Sequence, residues 1–245
     1  MPFKITRPGV LVVALLFGFS TKGQRAEPNV DPGVYLVGGA MMFFALGLEA
    51  SETFEPTPSP FLEQWVEPLA VKGSYALAGG WWIWAKVEGD PERLRVAQAL
   101  VRSVAYSTAG SLALKAVFRR TRPGIEPDGW FEYGLEWDLS DAFPSGHSAV
   151  SVSMATTLVY SYPDEDWLPW VAYPIAGMAC WERVANGKHH PTDVVAGALL
   201  GYSTGILALK PLEWERWGVR TYLGPGSFGM VWDLDGKTSP ASTWR

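Results

Sequence analysis

The chain has 245 residues, 48% of them hydrophobic, with a formal net charge of −5. That length supports one sizeable core, or one core with a short extension, and the acidic balance excludes a general attraction to nucleic acid, so basic residues count only where they cluster. Cys180 is the single cysteine, which excludes an intramolecular disulfide framework and a thiolate zinc site.

At the N-terminus, Lys4 and Arg7 precede an apolar run over 10–17, and small residues follow at Gly18 and Ser20. This predicts an export signal over 1–20, either cleaved or kept as an anchor, because the run is shorter than the ~20 residues that cross a bilayer. Apolar helices are then expected over 34–48 and over 71–87, the latter interrupted at Gly79-Gly80, with a connector over 52–60 and a short amphipathic turn over 61–66. Gly89-Asp90-Pro91 is a stop, and a long helix over 93–118 follows. A Gly- and Pro-rich loop over 122–141 leads to Pro144-Ser145-Gly146-His147, after which helices are expected over 148–160, 170–181 and 194–209.

Helix follows helix with almost no period-two alternation, so the expected architecture is an all-α bundle of about six helices. Turn punctuation over 220–233 predicts a short extended or β-like tail. The expected divisions are 1–20, a catalytic bundle over 21–210 and a tail over 211–245. Stretches 32–48 and 194–209 approach spanning length, yet the mean hydropathy of +0.04 is low for a chain built mostly of spanning helices. A lipid-embedded bundle and a soluble exported bundle both fit. Trp81, Trp82 and Trp84 suit either a lipid interface or ordinary packing.

The chemistry concentrates in three segments. Lys115 and Arg122 lie seven positions apart, which places both on one face of a helix that Pro123 ends near Arg122, while Arg119 and Arg120 read as a solvated basic helix end. In the second segment, Pro144 and Gly146 bend the chain before a helix, so the amides of Ser145, Gly146 and His147 can form an anion nest, or Ser145 can simply cap the helix. His147 stands there as a candidate proton donor.

In the third segment, Arg183 offers a planar clamp for phosphate oxygens. Asp193, four residues beyond His189, can hold one ring nitrogen and leave the other free to attack phosphorus. His190 caps the following helix or shapes the entrance. All three histidines of the chain, His147, His189 and His190, fall in these segments. A divalent ion on His189, His190 and Asp193 would be opposed by the three nearby cations, so no metal is expected.

Together, Lys115-x6-Arg122-Pro123, Pro144-Ser-Gly-His147 and Arg183-x5-His189-x3-Asp193 resemble the three-part signature of the type 2 phosphatidic acid phosphatase and vanadium haloperoxidase superfamily. The resemblance implies that Lys115, Arg122 and Arg183 bind phosphate with Ser145 and the Gly146 amide. It also implies that His189 forms a phosphohistidine, Asp193 orients it, and His147 is the general acid. No metal or other cofactor is implied for the phosphatase branch. Glu182 departs from the pattern, standing where the family usually has Ser.

The expected activity is hydrolysis of a phosphomonoester or pyrophosphate of a lipid, an isoprenoid or a small molecule, at a membrane surface or bilayer, with an exported site on the non-cytoplasmic side. Two alternatives accompany it: a haloperoxidase holding vanadate on His189, and a catalytically silent envelope protein that binds an anionic lipid headgroup.

Overall fold

Asp31 opens the first helix: its carboxylate accepts from the Gly33 amide at 2.8 Å, and Pro32 takes the first helical position, where no N–H is needed. The computed structural model describes residues 31–50, 56–125, 142–210, 219–224 and 227–232, so the expected signal over 1–20 lies outside the described residues. Among the described residues six α-helices run in order: α1 Pro32–Ala50, α2 Ser74–Glu88, α3 Pro91–Phe118, α4 Gly146–Ser161, α5 Leu168–Ala185 and α6 Pro191–Leu209. The expected helical bundle is what forms.

Two stretches of wider π-type helix, Leu62–Val66 and Leu69–Gly73, lead into α2, so the expected turn over 61–66 is part of a longer helical run. The expected break at Gly79-Gly80 does not occur, since α2 runs through both glycines; two adjacent glycines weaken a helix without ending it when the neighbouring turns are packed. Gly89 ends α2 at φ 69°, its amide reaching Ala85, and the Asp90 carboxylate accepts from the amides of Glu92 and Arg93 to start α3.

Small residues set how closely the helices approach. Along α6, a Cβ added to Gly197 would lie 2.4 Å from the Ser145 carbonyl oxygen, and one on Gly201 would lie 2.4 Å from that of Ala149. Only glycine lets the backbones of α4 and α6 meet this way. On α3, Ser103, Ser107 and Ser111 repeat every four residues, all buried, each hydroxyl donating to a carbonyl of its own helix. Lys115 is the next member of that row, and it is buried too. The helical spacing that packs α3 against α4 thus carries one cation inward.

The main core joins Val152, Ala155 and Val159 of α4 with Tyr173, Ala176 and Cys180 of α5 and Val194, Ala198, Tyr202 and Ile206 of α6. Large apolar side chains also face outward, among them Leu36, Phe43, Trp65, Ile83, Trp170 and Ile175. Of the two helices among the described residues that are long and apolar enough to cross a membrane, α6 is mostly buried inside the bundle, whereas only 17% of the α1 window is.

From Lys210 onward the chain forms a separate unit. Its described part is an antiparallel hairpin, β1 Val219–Gly224 paired with β2 Ser227–Trp232, with Val219 opposite Trp232 and Gly224 opposite Ser227. The expected β-like tail is therefore present.

Candidate active site

The N-termini of α4 and α6 meet, because Gly197 lets their backbones touch just inside the first turns. The Ser145 amide donates to the Asp193 carbonyl oxygen at 2.9 Å, and the Ser145 hydroxyl pairs with that of Ser148 at 3.0 Å. This corrects the expected nest: the Ser145 amide is spent on α6, and Ser145 is the capping residue of α4. Gly146 and His147 begin the helix proper, where the first amides have no partner within it.

His189 is buried in the loop before α6. Its amide donates to the Arg183 carbonyl at 3.1 Å, and its Nδ1 lies 3.6 Å from Asp193 Oδ2, slightly beyond hydrogen-bond length. Asp193 is fully buried and heavily anchored: Oδ2 accepts from the His190 amide at 2.8 Å, and Oδ1 accepts from Arg120 at 2.8 Å. The His190 carbonyl in turn accepts from the Asp193 amide at 3.1 Å, so His190 helps start α6.

Arg120 overturns its sequence-based reading. It is buried, and besides Asp193 it donates to the Thr192 hydroxyl at 2.6 Å and to Glu49 of α1 at 2.8 Å. Glu49 completes the ring by accepting from the Thr192 amide at 2.8 Å. The cause is local: α3 ends at Phe118, and Arg119 adopts a left-handed conformation at φ 44°, turning the next residue inward. The same turn corrects a second expectation. Arg122 lies beyond the helix end and does not share a helix face with Lys115.

Both cations nevertheless serve one place. The His147 imidazole is pushed down to about 3 by burial, then by the charges of Arg183, His189, Arg122 and Lys115. Burial likewise holds His189 below the ordinary imidazole range, with Lys115 and Arg122 adding to it and Asp193 opposing. The charges of Arg183, Arg122 and Lys115 thus bear on His147, and those of Lys115 and Arg122 on His189, so residues of three separated segments act on the two imidazoles.

Arg183 faces the histidine that starts α4. One terminal nitrogen lies 3.3 Å from His147 Nε2, while its Nε is bonded to the Glu182 carboxylate. Glu182 is fully buried, and its other oxygen accepts from Asn186 at 2.9 Å. Asn186 in turn accepts from the Ser59 amide at 2.8 Å. Glu182 thus grips the inner edge of the guanidinium and leaves its outer edge toward the site. Among the described residues, no group of three or more His, Cys, Asp and Glu is placed to hold a metal ion.

The family model of the PAP2 superfamily matches residues 97–217, a span that contains all three segments. The chain belongs to the PAP2 superfamily. YbjG of Escherichia coli, whose name proposes undecaprenyl-diphosphatase activity, is 29% identical over 142 residues, covering 58% of this PAP2 chain and 66% of YbjG. A lipid A 1-phosphatase of Porphyromonas gingivalis is 29% identical over 84 residues, covering 34% of this chain and 17% of that protein. The match spans less than two thirds of the length of either relative. The crystal structure of Aquifex aeolicus LpxE aligns with 85% of this chain and 99% of its own at 19% identity and a TM-score of 0.42.

Three participants escaped the sequence reading: Arg120, Glu49 and Glu67. Arg120 carried a signal, since it sits within the motif between Lys115 and Arg122. Glu49 closes an apolar helix, where a carboxylate reads as a solvated end. Glu67 lies outside every motif, and its Oε1 comes 3.7 Å from His147 Nε2.

Proposed function

We propose that this PAP2 chain is a metal-independent phosphatase acting on a lipid phosphate ester through a phosphohistidine on His189. What carries the reading is that Arg183 stands 3.3 Å from His147 Nε2 and buried Asp193 3.6 Å from His189 Nδ1, with the charges of Lys115 and Arg122 bearing on both imidazoles. Such an arrangement suits phosphoryl transfer, in which positioning and charge stabilisation supply most of the acceleration.

The steps follow from the roles each group can take. Lys115, Arg122 and the outer edge of Arg183 hold the phosphoryl oxygens. Neutral His189, with Nδ1 turned to Asp193, attacks phosphorus through Nε2 while the bond to the leaving oxygen breaks and His147 gives that oxygen its proton. Water then attacks the phosphohistidine, His147 takes the water's proton, and phosphate leaves with His189 restored. His147 has to be charged for the first step. Burial, and then the neighbouring cations, hold its affinity for protons down, and the negative phosphoryl group offsets the cations.

A lipid substrate is supported by the names of the relatives and by the outward-facing apolar side chains, which suit contact with acyl chains. We place α1, with most of its surface outside the bundle, against the bilayer. Lys4 and Arg7 ahead of the first apolar run favour a cytoplasmic N-terminus and an exported remainder, hence a site on the non-cytoplasmic side.

The test is purified protein in detergent with phosphatidate and an isoprenoid diphosphate, in the presence of EDTA. Turnover that persists with chelator and falls about 10³-fold or more in His189→Ala is expected. Turnover that requires added metal, or survives in His189→Ala, contradicts the proposal.

A further inference from the structure

Glu67 belongs to none of the three motifs, yet its carboxylate reaches the two groups on the leaving side of the pocket. Its Oε1 lies 3.7 Å from His147 Nε2 and 4.0 Å from a terminal nitrogen of Arg183. The backbone explains how it gets there. Glu67 and Pro68 separate the two π-type stretches Leu62–Val66 and Leu69–Gly73. A π-type turn takes in one extra residue, which rotates the following side chains by about 100° around the axis. Trp65 and Leu69 on either side stay exposed while Glu67 is half-buried toward α4 and α5.

Resting on the phosphatase reading, we propose that Glu67 is a specificity-determining residue that favours esters with an uncharged alcohol as leaving group over diphosphates. His147 Nε2 delivers its proton to the leaving oxygen, so whatever lies beside that nitrogen borders the leaving group. When the leaving group is an alcohol, the carboxylate faces a neutral chain or a hydroxyl that can donate to it. When the leaving group is itself a phosphate, two negative charges are brought within several ångströms in a partly buried pocket, which is costly. Glu67 also neutralises part of Arg183, the cation beside His147 Nε2.

The experiment compares kcat/KM for farnesyl phosphate and farnesyl diphosphate, which share one tail and differ in the leaving group. Removing the charge in Glu67→Gln and Glu67→Ala is expected to shift the ratio toward the diphosphate by about tenfold, while Glu67→Asp keeps it near the wild-type value. An unchanged ratio overturns the proposal. So does an equal loss on both esters, which would make Glu67 only a support for His147. His189→Ala, run on both substrates, separates the two levels: hydrolysis that does not need His189 overturns the phosphatase reading itself, whatever the ratio does.

Discussion

The backbone of Ser145 donates to the backbone of Asp193 across 2.9 Å, joining the helix that presents His147 to the helix that holds the partner of His189. Main-chain atoms make this link, so the spacing between His147 and His189 is set by helix packing. Gly197, whose missing side chain leaves room for the Ser145 carbonyl, is the residue on which that packing turns.

Gly197→Ala should therefore both destabilise the fold and slow the reaction. A methyl group 2.4 Å from a carbonyl oxygen forces α4 and α6 apart, at a cost of about 1–3 kcal/mol typical of overpacking. Thermal unfolding and kcat measured on the same preparation check this. A variant with wild-type melting and rate would show that the two helices have slack.

Arg119 and Arg120 are adjacent arginines with opposite predicted effects. Arg120→Ala leaves the buried Asp193 and the half-buried Glu49 without their shared cation and should cost about 3–5 kcal/mol, as the loss of one member of a buried ion pair does. Arg119→Gly should stabilise by about 0.5–1 kcal/mol, because φ 44° suits glycine at a helix end better than a residue with a Cβ. Denaturant midpoints of the two variants, set against wild type, decide both signs.

That contrast also marks the limit of what the chain discloses before folding. His147, His189 and Asp193 were readable as positions because turn residues and helix starts surround them, whereas Arg122 was expected on the helix face of Lys115 and lies beyond the helix end. Arg120 was not readable, since whether an arginine at a helix end points to water or inward depends on a single left-handed residue before it. Glu67 depends on two π-type turns, which leave no mark in hydrophobic periodicity. The helix count and the C-terminal hairpin were legible from apolar runs and Gly/Pro punctuation. The end of α3 at Phe118 was legible too, whereas Pro123 marks only the latest point at which that helix could stop, which is why Arg122 was read as part of it.

The depressed imidazoles make a pH prediction with a definite sign. A histidine held below its unfolded value of 6.5 stays neutral in the fold while the unfolded chain takes up a proton, so stability is lost as the pH falls below 6.5 toward the folded value of about 3 for His147. His147→Gln should flatten the fall in melting temperature between pH 7 and about pH 4. Inorganic phosphate should restore stability at the acidic end by pairing with the charged ring. A wild-type protein with the same pH slope as His147→Gln would contradict the buried, cation-flanked placement.

Glu182 stands where the family usually has Ser, and its contacts assign it a positioning role through Arg183 and Asn186. Glu182→Gln preserves an acceptor for the Arg183 Nε and should change KM by less than about threefold. Glu182→Ala frees the guanidinium and leaves the Asn186 amide without its acceptor, so KM should rise about tenfold with a smaller change in kcat. Equal falls in kcat for both variants, with KM unmoved, would argue against positioning.

The most direct measurement is to trap the intermediate. Wild-type protein mixed with a radiophosphate-labelled lipid ester in EDTA, then quenched in alkali, where phosphohistidine survives, should carry label on the peptide that contains His189, and His189→Ala should carry none. Turnover without any labelled protein, or label that persists in His189→Ala, would contradict a pocket built around that nucleophile.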